Sequence, residues 1–329
     1  MPTKFLVIRF SSIGDIVLTS PVIRCLKTQI PNSRVHVLTK TGFSQIIEPN
    51  PYVDSIHSYD GDMQSLIGEL KAENFDHIID LHKNFRSYRI RLALGKPVTS
   101  FPKLNLKKYL LVRFRINLMP DLHLVDRYFE AVKKLGITND EKGLDYFIPE
   151  AEQVIPYDYC PDAVKGYYAI VVGGKHNTKI YPVEKLVETC RLIEKPMFLL
   201  GGIEDFKRAD EVTKAFQGKV INLCGKLGLH QSASVISQSD AVLTNDTGLM
   251  HIAAALGKPI VSIWGNTVPD LGMYPYFPGD PARSVVIENN KLTCRPCSKI
   301  GFDKCPKGHF KCMLDIDARK VANELQNLS

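Results

Sequence analysis

The sequence has few features of a membrane, fibrous or disordered protein. It contains no hydrophobic run of the ~18–20 residues that a membrane-spanning helix requires. It contains no low-complexity tract, and its 44% hydrophobic and 23% charged residues are ordinary for globular domains. At roughly 100–200 residues per domain, a chain of 329 residues predicts two domains. We therefore expect a soluble, cytoplasmic, two-domain protein.

Acidic residues are absent from one long stretch, residues 81–120, which we call the basic segment. It carries ten basic residues, and without them the net charge of +7 becomes −3. These residues are Lys83, Arg86, Arg89, Arg91, Lys96, Lys103, Lys107, Lys108, Arg113 and Arg115. Aromatic and leucine residues stand between them. This composition fits an anionic partner with an apolar portion, such as a membrane surface, a phosphorylated lipid or nucleic acid. A solvated basic face with inward-turned aromatic side chains is the alternative.

The eight cysteines form two groups. Cys25, Cys160, Cys190 and Cys224 are scattered, as small buried thiols are. Cys294, Cys297, Cys305 and Cys312 lie in one segment with His309, residues 294–312, which we call the cysteine segment. Only its first pair has zinc-knuckle spacing, so we expect reduced, packed thiols and no metal, with structural zinc as the alternative.

Apolar strands alternate with helical patterns in both halves of the chain. This alternation predicts parallel sheets with helices on both faces, that is, two Rossmann-like domains. Prolines 149, 156 and 161 mark a linker, which places the domains at residues 1–155 and 156–329. The basic segment is expected to interrupt the first domain as an insertion or a helical lobe. Ligands bind at the carboxyl ends of such strands, so we expect a cleft between the domains.

The turn after the first strand lacks the three spaced glycines of a dinucleotide-binding turn, so no nicotinamide or flavin cofactor is expected. It reads Ser11-Ser12-Ile13-Gly14-Asp15 and places a carboxylate at a helix start. A carboxylate there can serve as a general base for a hydroxyl nucleophile. It can equally cap the helix, as can Ser11 or Ser12.

Strand-to-helix turns of the second half are suited to binding a diphosphate. The turn 244–248 ends in Asp246-Thr247-Gly248, where helix amides and a hydroxyl meet, and His251 follows one helical turn later. Lys179 comes five residues after Gly174 and supplies a positive charge. Glu204 or Asp205, after another strand, can accept hydrogen bonds from a ribose. Ordinary caps, a packed histidine and a surface lysine are the structural alternatives.

These residues resemble the family 9 glycosyltransferases, the bacterial heptosyltransferases of the lipopolysaccharide inner core. The matching segments are Phe5-Leu-Val-Ile-Arg-Phe-Ser-Ser-Ile-Gly-Asp15 with 18–21, 179–182, 245–251 with 253–259, 80–87 and 294–297. The resemblance implies the GT-B fold, two Rossmann-like domains facing a cleft, and metal-independent, inverting sugar transfer without a cofactor. It implies an N-terminal acceptor domain and a C-terminal donor domain.

The resemblance also implies roles for individual residues. Asp15 matches the catalytic base, and Lys179 the lysine on the donor diphosphate. The remaining donor contacts are Gly174, Glu204, Asp205, Asp246, Thr247, Gly248 and His251. The acceptor contacts are Ser12, Gly14, Lys83, Arg86 and Arg89. Tyr181 stands where a tryptophan is common, which leaves the sugar and nucleotide open.

The expected partners are a nucleoside-diphosphate sugar, with ADP-heptose favoured, and an anionic lipopolysaccharide precursor at the cytosolic face of the inner membrane. Nucleic acid is not expected. Two alternatives remain: a nucleotide-sugar epimerase of similar fold, and a nucleotide-binding protein without catalysis. A small-molecule epimerase has no evident use for the basic segment.

Overall fold

The computed structural model describes residues 2–216 and 218–328. The chain forms two compact units. The first unit contains Met1–Lys103 and Leu122–Phe147, and the second contains Leu104–Asp121 and Ile148–Ser329. This division differs from the expected one at residue 155, because the second half of the basic segment lies in the second unit.

The first unit is built on a five-stranded parallel sheet of order β3-β2-β1-β4-β5. Its strands are β1 (Lys4–Ile8), β2 (Arg34–Lys40), β3 (Ser55–Tyr59), β4 (His77–Asp80) and β5 (Val98–Ser100). The centre of the sheet is buried on both faces, as apolar runs in parallel strands predict. Because β5 pairs with β4, the basic segment supplies the edge strand of this sheet and is not an insertion.

The second unit is built on a six-stranded parallel sheet of order β11-β10-β9-β6-β7-β8. Its strands are β6 (Tyr168–Val171), β7 (Met197–Leu200), β8 (Val220–Asn222), β9 (Ala241–Asn245), β10 (Ile260–Trp264) and β11 (Ser284–Glu288). The expected strands are present, and β11 adds a sixth that the sequence analysis missed.

Helices follow most strands. In chain order they are α1 (Ile13–Val17), α2 (Ser20–Gln29), α3 (Met63–Ala72), α4 (Phe85–Leu94), α5 (Asn105–Phe114), α6 (Leu124–Phe129), α7 (Val183–Arg191), α8 (Phe206–Thr213), α9 (Leu229–Gln238), α10 (Gly248–Ala255), α11 (Lys311–Leu314) and α12 (Ala318–Asn327). Among these residues no helix is long and apolar enough to cross a membrane.

Local sequence explains where several helices begin and end. Asn84 accepts a hydrogen bond from the Ser87 amide and starts α4, which ends at left-handed Gly95. The pattern at residues 124–135 predicts one helix, but α6 ends at Phe129. There the Ala131 and Val132 amides bond three residues back, to Tyr128 and Phe129, which tightens the chain out of the α-helix.

Helix α5 packs against the second unit. Its Leu111 forms a small apolar cluster with Val268 and Leu271, which half-buried Met119 joins. This packing explains why residues after 103 separate from the sheet to which β5 belongs.

Each sheet reverses its strand order at one point, between β1 and β4 in the first unit and between β6 and β9 in the second. Ligands of open α/β sheets bind outside the carboxyl ends of the strands at such a reversal. The turns after β1, β4, β6 and β9 are therefore where functional groups belong.

Candidate functional site

Lys179 and Asp246 form an ion pair beside the carboxyl ends of β6 and β9. Lys179 Nζ lies 2.5 Å from Asp246 Oδ2, and the two side chains are only 15% and 10% exposed. The Thr267 hydroxyl, in the loop after β10, donates to the same Oδ2 at 2.9 Å. Three turns of the sheet thus meet at one carboxylate, which holds the lysine in place.

Unpaired polar atoms lie next to this ion pair. Thr247 is the N-cap residue of α10, yet its buried Oγ1 has no hydrogen-bond partner among the residues that the structure describes. Asn266 is 2% exposed, and within the same part of the chain both polar atoms of its side chain also lack a partner. Unsatisfied polar groups in a protein interior are costly, so these atoms indicate a polar ligand.

The turns after β6 and β9, with helix α10, also hold three of the predicted donor residues: His251, Gly248 and Gly174. His251 is 2% exposed on α10, and Gly248 is the first residue of that helix. Gly174 follows β6, and a Cβ there would lie only 3.4 Å from Thr247 Cγ2 and 3.3 Å from Ile180 Cγ1. The Gly174 backbone therefore approaches the α10 start closely, which a larger residue would hinder. Asn245 joins the two turns by donating to the Val171 and Gly173 carbonyls.

The carboxylates of Glu204 and Asp205 differ in how open they are to a ligand. Asp205 is 4% exposed, accepts a hydrogen bond from the Gly202 amide and pairs with Arg208. Burial raises its pKa, against the opposing effect of that amide. A Cβ on Gly173 would collide with its carboxylate, so Asp205 packs against the turn after β6, while its bond to the Gly202 amide closes the turn after β7. Glu204 is exposed, and of the two it is the carboxylate open to a ligand.

Arg295, which the sequence analysis missed, holds the loop that carries Asn266 and Thr267. Its buried guanidinium donates to the carbonyls of Gly265, Asn289, Trp264 and Thr267 and to the Glu288 carboxylate. The turn Gly265-Asn266-Thr267 directly follows an apolar strand, but no local pattern marks Arg295 as its partner.

The cysteine segment covers the loop before Lys179. The Thr178 amide donates to the Phe302 carbonyl, the Phe302 amide donates to the Thr178 hydroxyl, and the Cys297 amide donates to the Asn266 carbonyl. All eight cysteines are free thiols, and the four scattered ones are buried as expected. Within the segment, Cys294 Sγ lies 3.8 Å from His309 Nε2.

In the first unit, Asp15 follows β1 as the third residue of α1. Ser12 is the N-cap, and its amide and hydroxyl both donate to Asp15 Oδ2, at 3.2 and 2.8 Å. Asp15 Oδ1 lies 2.6 Å from Arg9 Nη2. Asp15 therefore completes the capping interaction and also carries an ion-paired carboxylate at the carboxyl end of the central strand. Gly14 is buried beside it.

Arg9 and His82 complete the surroundings of Asp15. Arg9 also donates to the Leu81 carbonyl and the Tyr128 hydroxyl, which fixes its guanidinium. Burial, together with the positive charges of Arg9 and Lys103, lowers the pKa of His82 to about 4. The neutral ring has a buried Nδ1 without a hydrogen-bond partner. Arg9 was not among the predicted site residues.

Lys83, Arg86 and Arg89 are exposed on the turn after β4 and on α4. Lys83 Nζ donates to the Phe101 carbonyl, and the Arg86 guanidinium lies 5.9 Å from the Tyr59 ring centroid. Phe101 and Leu111 are buried, but most of the neighbouring large apolar side chains do not turn inward as a plain basic face would require. The half-exposed or more exposed ones are Phe85, Tyr88, Leu92, Leu106, Tyr109, Phe114, Ile116 and Leu118.

Comparisons with known proteins found relatives in sequence and in fold. A lipooligosaccharide heptosyltransferase 2 of Haemophilus ducreyi is 26% identical, over 99% of both chains. The crystal structure of a family 9 glycosyl transferase from Veillonella parvula matches with a TM-score of 0.77 and 22% identity, over 99% of this chain and 97% of that one. The structure of E. coli ADP-heptose LPS heptosyltransferase II matches with a TM-score of 0.71 and 21% identity, over 99% and 98%.

The structural likenesses, with two parallel-sheet units, confirm the predicted GT-B fold. The model of glycosyltransferase family 9 (heptosyltransferase) matches residues 63–301, more than two thirds of the sequence. The chain belongs to glycosyltransferase family 9, the heptosyltransferase family.

Proposed function

We propose that this protein transfers a heptose from ADP-heptose to an anionic precursor of the lipopolysaccharide inner core, with inversion at the anomeric carbon. The observation that carries the proposal is the Lys179–Asp246 pair beside the unpaired polar atoms of Thr247 and Asn266. In a family 9 chain, this arrangement fits a ligand with a diphosphate.

The second unit binds the donor and stabilises its leaving group. When the bond from the anomeric carbon to the diphosphate breaks, negative charge grows on the diphosphate oxygen. Lys179, the Thr247 hydroxyl and the first amides of α10 supply positive charge and donors for it. Asp246 holds Lys179, and exposed Glu204 accepts hydrogen bonds from the ribose.

The first unit supplies the base. The acceptor hydroxyl forms the new bond to the anomeric carbon, and its proton passes to the Asp15 carboxylate. Arg9 pairs with one oxygen of this carboxylate and orients it, and Ser12 fixes its second oxygen. His82 remains neutral near pH 7, so it adds no positive charge that would weaken the base.

The basic segment docks the acceptor at the cytosolic face of the inner membrane. Exposed Phe85 and Tyr88 on α4 provide apolar contact, while Lys83, Arg86 and Arg89 pair with phosphates. The exposed apolar side chains of α5 belong to the second unit.

A donor screen followed by product analysis tests the proposal. Thermal shift with ADP-, UDP- and GDP-sugars identifies the nucleotide, and ADP-heptose should give the largest shift. Mass spectrometry of a heptose-deficient lipid acceptor should then show one added heptose, absent with Asp15→Asn. An epimerised free sugar with unchanged lipid would support the epimerase instead. Binding without any product would support a non-catalytic protein.

A further inference from the structure

Two buried histidines of the first unit face each other. They lie apart from the turn with Asp15, where the strand order of the sheet reverses. His36 lies on β2 and His57 on β3, where His57 is in register with Leu38. Because side chains alternate along a strand, both imidazoles point to the same face of the sheet. They are 6% and 2% exposed, and Phe75 packs edge-on against both rings.

The facing ring nitrogens are close enough to share one ion. His36 Nδ1 lies 3.0 Å from His57 Nε2. Two nitrogens that each bind Zn²⁺ at ~2.0–2.1 Å lie roughly 3 Å apart when they are adjacent ligands. The same distance suits a hydrogen bond between the rings, so a third and a fourth group decide what the pair can hold.

Glu73, at the end of α3, offers the third ligand. One oxygen of the Glu73 carboxylate and one ring nitrogen of each histidine lie within 4.8 Å of one another. The Glu73 side chain is 33% exposed, so this ligand reaches solvent although the two imidazoles are buried. Lys4 Nζ lies 3.0 Å from Glu73 Oε2, and a carboxylate can contact a lysine and a cation through its two oxygens.

Glu69, one turn earlier on α3, orients the His57 ring. Its Oε1 lies 2.5 Å from His57 Nδ1. A carboxylate only accepts hydrogen bonds, so His57 Nδ1 carries the proton and the lone pair of Nε2 points towards His36. Metal-binding histidines typically donate their other ring N–H to a carboxylate in this way.

We propose that His36, His57 and Glu73 bind a divalent transition-metal ion of the Zn²⁺ type, with Glu69 as the outer-sphere partner of His57. Two imidazoles and one carboxylate suit such an ion, whereas Mg²⁺ and Ca²⁺ prefer oxygen ligands alone. The ion joins β2, β3 and α3, and its role is structural.

Competition titration of the full chain against a chromophoric zinc chelator tests this proposal. After chelator treatment, the protein should take up one Zn²⁺ per chain and its Tm should rise by several degrees. Glu73→Gln changes an exposed side chain, so this variant keeps its fold and should bind Zn²⁺ at least tenfold more weakly. Glu69→Gln should weaken binding about 10- to 100-fold. His36→Gln should abolish it.

Two variants serve as controls. His77→Gln removes a half-buried histidine outside the cluster, and Cys294→Ser removes a thiol of the cysteine segment. Both should leave zinc affinity unchanged. Zinc binding that is lost with Cys294→Ser but kept with Glu73→Gln would overturn the proposal, as would a native chain that takes up no zinc.

Discussion

Lys179→Ala should weaken the binding of ADP far more than the binding of adenosine. Two unit charges about 4 Å apart interact by about 4 kcal/mol at the effective dielectric constant of ~20 that suits partly buried pairs. Lys179 is only 15% exposed, so its attraction for a diphosphate is of this order. Its removal also leaves the Asp246 carboxylate uncompensated beside the ligand. Allowing for relaxation and water entry, we expect a loss of about 2–4 kcal/mol, or roughly 30- to 1,000-fold in Kd.

A second substitution separates the two causes. In the double variant Lys179→Ala/Asp246→Asn the repulsive carboxylate is gone, so ADP should bind about tenfold more tightly than it binds to Lys179→Ala alone. Isothermal titration calorimetry of the native chain and both variants, with ADP and with adenosine at low and at physiological salt, measures these affinities. Adenosine affinity should change less than about threefold throughout, because the nucleoside has no charge for Lys179. An equal loss for ADP and adenosine, or a double variant no better than the single one, would refute this assignment.

Four further outcomes are expected. Asp15→Asn should leave ADP binding intact and lower kcat by about two to four orders of magnitude, and a near-normal kcat would remove Asp15 from the mechanism. Charge reversal at Arg86 and Arg89 should raise the acceptor KM, most clearly at low salt, while donor KM stays unchanged; normal acceptor kinetics would make α4 an ordinary solvated face. Arg295→Lys keeps the charge but loses the forked hydrogen bonds, so the free energy of unfolding in urea should fall by about 2–4 kcal/mol and ADP should bind more weakly. An unaltered ADP affinity would show that Arg295 does not support the donor loop. The folded-state pKa of His82 is about 4, so as the pH drops from 6.5 towards 4 the His82 ring takes up a proton in the unfolded chain first, and stability falls. In urea titrations His82→Gln should lose less stability over that range. An identical loss would contradict the lowered pKa of His82.

Sequence reasoning located the central strands and the turns that follow them. Apolar runs such as those of β1 and β9 are bounded by glycine or polar residues. The spacing of apolar residues and the turn residues at each end are local features, and they are enough to predict such strands. The sequence analysis did not predict the edge strands β5 and β11, because both are only partly buried and neither carries a long apolar run. Their pairing depends on neighbours distant in sequence.

The same distinction holds for the candidate site. Lys179 and Asp246 were predicted from their turns, and the structure brings them together. Thr267, Asn266 and Arg295 escaped, since their importance arises from contacts between segments that are 20–30 residues or more apart. Likewise, no local pattern distinguishes the closing role of Asp205 from the exposed position of Glu204. Burial decides between them, and burial is a property of the folded chain.

The attachment of the cysteine segment to the loop before Lys179 has a consequence for local opening. The amides of Thr178 and Phe302 are both engaged in the bonds that join these two regions. Exchange of either hydrogen with solvent requires the same separation of chain segments, so the two amides should exchange at similar rates, as one cooperative unit. These hydrogen bonds hold the loop before Lys179, so Lys179 cannot move away from its position unless bonds to residues more than 100 positions later in the chain break. Its ammonium group is thereby kept ready for the next donor molecule.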